Sequence, residues 1–414
     1  MPGRLTCEIG GVAGLDLSAR GVNADPDSFA REALAGDHVQ WSDAQRGWLL
    51  LSHAEVAAGF LDQRLSSDRM PALARQVERR GERFQPVAEL LAGWMVFRDP
   101  PAHTRLREPV WRAFTPRVVQ RLKDGIDRTV DELVDEVRDE ASFELKERFA
   151  GPLPALIIAD LLGVPRSERE RFKAWSDDLA EIVFSVDAGT VDEDRVVRAT
   201  DEFHSFFGEL IAHRRRQPGD DLISTVVASG AADESQPGHL TVLELVGACT
   251  LLLFAGHETT TNLITNSVRT LVDQPDARAR FARQEIDDVK AADELMRLCG
   301  PAKSMVRKVR ETHRRGEHTL EAGQNVYLVI LVANRDPGTF VDPDRMDLDR
   351  EFNPQLGFGW GMHLCLGGNL ARVEASVALK GLFRRMPELA FDGEPTRWSG
   401  NPLGRNLRAL PVRA

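Results

Sequence analysis

Residues 357–368 read GFGWGMHLCLGG, a glycine-rich stretch that holds a single cysteine. Its glycines follow a GxGxG pattern, but Met362 stands where a dinucleotide-binding fingerprint needs its third glycine. The chain also lacks a GK[ST] phosphate-binding loop. This stretch is therefore not typical of a nucleotide-binding turn, and another role is needed to explain Cys365.

A helix is predicted to begin just after Cys365. Residues 369–386 read NLARVEASVALKGLFRRM and place Leu370, Val373 and Val377 on one face. Unpaired N–H groups and the helix dipole at such an N-terminus lower the pKa of a thiol, which predicts an anionic ligand or a nucleophile. Flanking glycines let a large flat group approach the backbone. An isolated cysteine, by contrast, is more often simple packing.

The composition is that of a globular protein with a large core. The chain has 414 residues, 42% hydrophobic and 28% charged, and a formal net charge of −11. It has no long basic block, so neither nucleic acid nor a membrane is expected as a partner. The four cysteines form no CxxC pair, which argues against a disulfide framework or a zinc ribbon and predicts a cytoplasmic protein. No export signal or membrane span is predicted.

Helical periodicity dominates from about residue 116 to residue 297. Apolar residues recur three and four apart in Ile126–Val137, Phe203–Ala212 and Thr241–Leu271. This pattern predicts a mainly α protein.

Strand patterns are few and short. They occur at Gly47–Ser52 and within His318–Leu331, where the second reads as strand, glycine turn and strand after a basic HRRG insert at 313–316. No repeat or linker divides the chain. The sequence therefore predicts one unit with an α-rich lobe and a small β-rich lobe.

Polar residues interrupt an apolar helix at residues 251–263, LLLFAGHETTTNL. A zinc-protease HExxH motif is excluded because Thr261 occupies the place of the second histidine. Glu258 and Thr259 are expensive to bury unless they are satisfied or functional. A threonine that hydrogen-bonds its own helix remains an open alternative.

Two further segments carry charged pairs at helical spacing. Glu294 and Arg297 are three apart, as in an ordinary surface ion pair. His103 and Arg107 are four apart within DPPAHTRLREPVWRAFTPR at 99–117, so they form a cationic pair able to hold a carboxylate, or else belong to a solvated basic helix.

Together these motifs resemble the cytochrome P450s, the haem-thiolate monooxygenases. Residues 358–367 match FxxGxxxCxG, and the family's AGxET, ExxR and DPPxHxRLR motifs match at 255–259, 294–297 and 99–107. Shorter agreements follow in the family's order along nearly the whole chain. The resemblance implies a single cytochrome P450 domain over residues 1–414, with the two lobes around a buried haem b.

The resemblance also implies a role for each matching residue. Cys365 is the metal ligand, and Glu258 and Thr259 relay protons during oxygen activation. Glu294 and Arg297 are a structural clamp. The other residues expected to bind the cofactor are His103, Arg107, Ala255, Gly256, Arg307, Phe358, Gly359, His363 and Gly367. Among them, Ala255 and Gly256 leave room for dioxygen, and the basic residues hold the propionates.

The substrate pocket implied by family position is largely apolar. Its residues are Trp94, Leu251, Phe254, Ala255, Ala302 and Ser304. Lys303 points either to a ligand carboxylate or to solvent. The expected substrate is a small or medium apolar molecule such as a terpenoid, steroid, fatty acid or polyketide.

The implied reaction is insertion of one oxygen atom into a C–H bond, by hydroxylation or epoxidation. Two electrons are expected from NAD(P)H through a separate ferredoxin or flavodoxin and its reductase, docked on Arg112, Arg117 and Arg372. Two alternatives remain open: a hydrogen-peroxide-dependent peroxygenase, and a non-catalytic haem protein that only binds a ligand. The Glu258 and Thr259 pair favours dioxygen activation.

Overall fold

Helices make up most of the protein, whose computed structural model describes residues 14–112, 114, 116–184, 192–233, 235, 238–393 and 398–413. Their bounds are α1 Arg20–Ala24, α2 Pro26–Leu34, α3 His53–Leu61, α4 Met70–Arg80, α5 Gln85–Ala92, α6 Ala102–Trp111, α7 Pro116–Val137, α8 Pro152–Leu162, α9 Arg169–Phe184, α10 Glu193–Arg216, α11 Leu222–Ala228, α12 Val242–Val272, α13 Pro275–Ala282, α14 Asp288–Cys299, α15 Ile330–Ala333 and α16 Gly368–Arg385. The helical segments predicted from periodicity lie within α7, α10 and α12, and the helix predicted after Cys365 is α16. These predictions are confirmed.

Short strands form small sheets beside the helices. Their bounds are β1 Val39–Ser42, β2 Gly47–Leu50, β3 Leu65–Ser66, β4 Phe143–Glu144, β5 Met305–Val309, β6 His313–Arg315, β7 His318–Leu320, β8 Asn325–Leu328, β9 Ala390–Phe391 and β10 Pro411–Arg413. In the described part of the chain, a five-stranded sheet has the order β1-β2-β8-β5-β3, with β2 and β8 parallel. A three-stranded sheet has the order β4-β10-β9, and β6 pairs with β7. The predicted mainly α fold with small β-sheets is therefore confirmed.

The hairpin predicted within residues 318–331 is wrong. β7 pairs with the basic strand β6, whereas β8 pairs with β2 and β5 in the other sheet. Gly323, at φ +89°, turns the chain between the two sheets. The end of the segment, Ile330–Ala333, is the short buried helix α15. β6 and β7 form a partly buried ribbon whose residues, HRR and HTL, show no apolar alternation, so periodicity could not identify their pairing.

Three strands of the five-stranded sheet escape the sequence prediction. β1 and β3 are short, and the two adjacent basic residues of β5, which reads MVRKV, conceal a strand in which Arg307 is buried. β5 lies between β8 and β3 in the sheet. Arg307 is therefore positioned by a sheet rather than by a loop.

The long helix α12 organises the α-rich lobe. Thr241 and Glu244 form a capping box at its N-terminus, and Glu244 also forms an ion pair with Arg105 of α6. α12 packs against α5, α8, α10, α14 and α16. It therefore passes through the middle of this lobe, in contact with helices on several sides.

By length and composition α12 could also span a bilayer. Half of its most apolar window is buried inside the protein, however, and the core helix of a soluble protein passes the same test. Burial against neighbouring helices accounts for its apolar character.

Two glycines let the end of α5 approach α12 closely. A Cβ at Gly247 would lie 2.7 Å from the Cα of Gly93 and 2.8 Å from the carbonyl oxygen of Leu90. Directly after this contact, the Trp94 indole N–H donates to the Thr250 hydroxyl at 3.1 Å. The contact thereby fixes the segment that leads from α5 to α6.

We predict that Gly247→Ala lowers the free energy of unfolding by about 1 to 3 kcal/mol, because the methyl group meets backbone atoms that cannot give way. Gly208→Ala in α10 is the matched control, since no atom lies within 4 Å of a Cβ there. It should be neutral or mildly stabilising. Urea unfolding followed by circular dichroism measures both, and equal stabilities would show that the helix contact does not require glycine.

Candidate functional site

The cysteine loop, residues 357–368, is a tight turn that depends on glycine. Gly359 and Gly361 adopt φ values of +73° and +72°, which favour glycine strongly. The Cys365 N–H donates to the Phe358 carbonyl oxygen at 2.8 Å and closes the turn. A Cβ at Gly367 would meet no atom within 4 Å, so the loop leaves open space on that side.

Cys365 is accessible to solvent, unlike Cys249 and Cys299, which are buried. Burial nevertheless raises the pKa of its thiol, although the Gly367 N–H and the positive charge of Arg107 act in the opposite direction. The predicted lowering of this pKa is wrong, because desolvation outweighs the effect of the Gly367 N–H at the start of α16.

A stripe of accessible residues in the middle of α12 lines an open space. Ala255 and Thr259 are exposed, although the helix is buried on both sides of them along the chain. Residues four apart share one helix face, so both face the same space. We call the open space on the face of α12 that carries Ala255 and Thr259 the central cleft. The Thr259 hydroxyl donates to the Ala255 carbonyl oxygen at 2.6 Å. This is a hydrogen bond to its own helix, the alternative that the sequence left open for this threonine.

Glu258 is held by a partner that the sequence did not reveal. Its Oε1 accepts a hydrogen bond from Asn406 Nδ2 at 3.1 Å. Burial raises the pKa of its carboxyl group, and the positive charge of Lys146 partly opposes this. Because Asn406 lies 148 positions further along the chain, periodicity and spacing could not identify the pair.

Basic side chains from separate segments converge near the cysteine loop. The His103 and His363 rings lie 4.3 Å apart between centroids, and burial followed by the charge of Arg307 lowers the pKa of His363 to about 3. Burial and the nearby Arg69 lower the pKa of Arg307 to about 10. Both ring nitrogens of His103 and the Nε2 of His363 are buried and have no hydrogen-bond partner. The structure therefore brings together three of the residues predicted to bind propionates.

Arg107, the fourth predicted propionate donor, connects α6 with the cysteine loop. Its Nη2 donates to the Leu364 carbonyl oxygen at 2.5 Å, and its charge acts on Cys365. Sequence reasoning did not single out Arg98, whose buried Nε has no partner. The unpaired Nε of Arg98 can be recognised only in the folded protein.

These residues fit haem b. Unpaired buried donors are costly unless a group supplies acceptors, and two propionates would supply them. Within the residues that the structure describes, no cluster of three His, Cys, Asp or Glu side chains could hold a free metal ion. A single accessible cysteine therefore fits a metal that arrives with its other ligands, as iron does in a porphyrin.

Glu294 and Arg297 form a buried bidentate ion pair in α14. The Arg297 Nε and Nη2 each donate to a Glu294 oxygen at 2.8 Å, and both side chains are fully buried. Arg297 also donates to the carbonyl oxygens of Asn334, Pro343 and Arg345. The pair thereby fastens the loop that precedes the cysteine, an arrangement suited to the predicted role as a clamp.

The side chains assigned to the substrate pocket occupy different environments. Phe254 is half-buried and its ring centroid lies 5.0 Å from that of Trp94, whereas Trp94 and Leu251 are buried. Ala302 is half-buried and forms an isolated bridge to Gly404. These positions give the region an apolar character.

Two polar residues of the predicted pocket are committed to the protein itself. The Ser304 hydroxyl donates to the Pro402 carbonyl oxygen at 3.0 Å. The buried Lys303 Nζ donates to the Leu17 carbonyl oxygen at 2.7 Å, and burial lowers its pKa to about 8. Lys303 faces neither a ligand nor solvent, so both alternatives for it are wrong.

The predicted docking arginines also differ from one another. Arg112 is exposed at the end of α6 and pairs with Glu108. Arg372 binds Asp293 and stacks 4.3 Å from the Phe358 ring centroid, so it supports the cysteine loop rather than a partner. The Arg117 side chain lies outside the described residues.

Comparisons with known proteins agree with this geometry. The family described as Cytochrome P450 matches residues 86–387. The cytochrome P450 monooxygenase PikC of Streptomyces venezuelae is 35% identical over 96% of this chain and 94% of that protein. The vitamin D(3) 25-hydroxylase of Pseudonocardia autotrophica is 36% identical over 88% of this chain and 87% of that protein. The crystal structure of P450BioI with an acyl carrier protein ligated to hexadec-9Z-enoic acid has a TM-score of 0.84 and 31% identity, over 95% of this chain and 99% of that chain.

We predict that Glu294→Gln destabilises the protein by about 3 to 5 kcal/mol, because Arg297 remains charged and buried without its carboxylate. Lys290→Gln is the control, since it breaks an exposed ion pair with Glu351 from the same helix. Urea unfolding and haem content per chain measure the effect. Equal losses in the two variants would contradict a structural role for the buried pair.

Proposed function

The chain belongs to the cytochrome P450 family, and we propose that it hydroxylates apolar molecules of small or medium size with electrons from NAD(P)H. The observation that carries this proposal is the accessibility of Cys365, Ala255 and Thr259 amid a buried core. The proposal takes residues 1–414 as one domain and the cytoplasm as its location, where soluble electron carriers are at hand.

Haem b, when bound, supplies the iron chemistry that reduces dioxygen and transfers one oxygen atom to carbon. The residues of this chain bind and orient that group. Cys365 would hold the iron through its sulfur as a thiolate, a ligand that would supply electron density to the metal. His103, Arg107, Arg307 and His363 supply hydrogen bonds and positive charge for the two propionates. Ala255 keeps the adjacent face of α12 free of large side chains. Gly256 points elsewhere, because a Cβ there would lie 3.3 Å from the Cδ1 atom of Ile158 in α8.

Glu258 and Thr259 move protons into the central cleft. Burial raises the pKa of the Glu258 carboxyl group toward neutral pH. A carboxyl group with a raised pKa is better suited to take up and release a proton at neutral pH. Asn406 holds its Oε1, and Lys146 contributes the opposing charge. Thr259 passes the proton on through its hydroxyl group when this leaves the Ala255 carbonyl oxygen.

The substrate class follows from the apolar character of the pocket and from the relatives. The rings of Phe97 and Phe254 both lie against Trp94, and Leu251 belongs to the same hydrophobic core. These side chains favour a hydrocarbon ligand. One relative is named for vitamin D(3), and another was crystallised with a fatty-acyl carrier protein. We therefore infer a sterol-like, terpenoid, polyketide or fatty-acyl substrate.

Electrons arrive from a separate ferredoxin or flavodoxin with its reductase. Trp111 and Arg112 are exposed at the end of α6, and Trp111 lies four residues after Arg107, which contacts the cysteine loop. An exposed aromatic side chain beside a cation suits transient docking of an acidic protein close to Cys365.

Reconstitution with a ferredoxin, its reductase and NAD(P)H tests the function. We expect substrate-dependent NAD(P)H consumption and a product that carries one atom from labelled dioxygen. In Thr259→Ala the share of electrons recovered in product should fall several-fold, with hydrogen peroxide released instead, because the proton-donating hydroxyl is missing. Thr259→Ser keeps the hydroxyl and should behave as wild type.

Other outcomes would decide between the alternatives. Turnover with hydrogen peroxide but none with NAD(P)H and the redox proteins would indicate a peroxygenase. Ligand binding without any oxygenated product would indicate a binding protein. Unchanged recovery of electrons in Thr259→Ala would remove Thr259 from the relay.

We predict that Arg112→Glu slows haem reduction by ferredoxin and weakens its dependence on salt concentration, because charge steers the encounter. Lys173→Glu is the matched control, since Lys173 forms a similarly exposed pair with Asp177, four residues away in α9. Stopped-flow reduction at several salt concentrations compares the two. The docking proposal fails when both variants are reduced at the wild-type rate.

A further inference from the structure

Arg69, which directly precedes α4, is a partly buried cation without a carboxylate partner. Its Nη2 donates to the Val306 carbonyl oxygen at 3.2 Å, and within the described residues its side chain makes no ion pair and no other hydrogen bond. Burial lowers the pKa of Arg69. The guanidinium group therefore retains donors that no described side chain satisfies.

Other cations surround Arg69. The Arg307 Nη1 donates to the same Val306 carbonyl oxygen at 3.1 Å, so the two guanidinium groups are neighbours. Burial, then Arg69 and Arg75, lower the pKa of Lys308, whose Nζ donates to the neutral Asn325 side chain. Like charges at short range are unfavourable unless an anion lies among them.

Asp99 is the acid that favours the charged form of Arg307, but its carboxylate is already engaged. It accepts hydrogen bonds from the Ser66 hydroxyl at 2.5 Å and from the Ser67 N–H at 2.9 Å. Asp99 therefore stabilises the turn before α4, and it makes no ion pair with Arg69 or Arg307. The positive charge around Val306 remains unbalanced by the described side chains.

An apolar stripe extends from Arg69 along α4. Leu73 and Val77 follow at intervals of four residues, which places them on the same helical face, and both pack against the core. α4 has no fully buried residue. The Arg69 N–H also donates to the Phe97 carbonyl oxygen at 3.0 Å, next to the aromatic side chains of the pocket. A cation at one end of an apolar wall matches a carboxylate attached to a hydrocarbon body.

We propose that Arg69 binds a carboxylate group beside Val306. This inference rests on the proposed function, because it names the polar end of a ligand in the same site. Two sources provide this chemistry: the acid group of a fatty-acid-like substrate, and a propionate of haem. Arg307 and the two histidines already serve the propionates, which favours the substrate acid as the occupant of Arg69.

The first arm of the test compares an acid with its ester. Dodecanoic acid and methyl dodecanoate are titrated into the haem-loaded protein by calorimetry and by the haem spin-state shift. We expect Arg69→Gln to raise the dissociation constant of the acid at least about tenfold, because a charge-assisted hydrogen bond is lost, and to leave that of the ester unchanged. Arg79→Gln, an exposed cation in the same helix, should change neither.

The second arm measures haem transfer to apomyoglobin. Faster transfer from Arg69→Gln with an unchanged preference for acid over ester assigns the carboxylate to a propionate. An acid-specific loss with unchanged transfer assigns it to the substrate. The proposal is overturned when Arg69→Gln alters neither measurement. Arg69→Lys, which keeps the charge but loses the forked geometry, provides the same comparison if the glutamine variant does not fold.

These measurements do not depend on turnover. A protein that prefers the acid through Arg69 but oxygenates no ligand would disprove the proposed function and leave the carboxylate site standing. A protein that oxygenates apolar molecules, but in which Arg69→Gln alters neither measurement, would disprove the carboxylate site and leave the proposed function standing.

Discussion

The buried ion pair between Glu294 and Arg297 is the interaction on which the cysteine loop depends. Glu294 accepts hydrogen bonds from the Asp347 N–H and from the side chains of Arg350 and Asn353, while Arg297 donates to backbone carbonyl groups of the same loop. A buried pair is worth little by itself, because desolvation offsets its attraction. Its value lies in fixing an irregular segment that no strand or helix could fix. Cys365 follows that segment along the chain, so the position of Cys365 depends on how the segment is held.

Several side chains of the candidate site depart from ordinary protein packing, and these departures identify the site. A long core helix exposes Ala255 and Thr259 halfway along its length, and a cysteine below the surface remains accessible. Histidine nitrogens are buried without partners. Each feature is unfavourable in a protein that binds nothing. A bound haem b accounts for all of these features, because it is a flat group with two negatively charged propionates and an iron that needs a ligand from the protein.

Sequence periodicity predicted what depends on local pattern and missed what depends on distant contacts. The helices α7, α10, α12 and α16 follow from their apolar spacing, whereas β5 escaped because two adjacent basic residues interrupt its apolar pattern. Motif resemblance placed the propionate donors near one another, as the structure has them. It could not foresee that Lys303 is committed to Leu17, or that Asn406 holds Glu258, because nothing local encodes contacts between residues so far apart in the chain.

The carbon-monoxide difference spectrum of the reduced protein tests the central claim most directly, namely that Cys365 ligates haem iron as a thiolate. The account predicts the long-wavelength Soret band typical of thiolate-ligated haem in the wild type. It also predicts that Cys365→His binds haem and shifts this band to the shorter wavelength typical of histidine ligation. A wild-type protein that binds haem stoichiometrically but lacks the long-wavelength band in its freshly reduced, folded state would contradict the account.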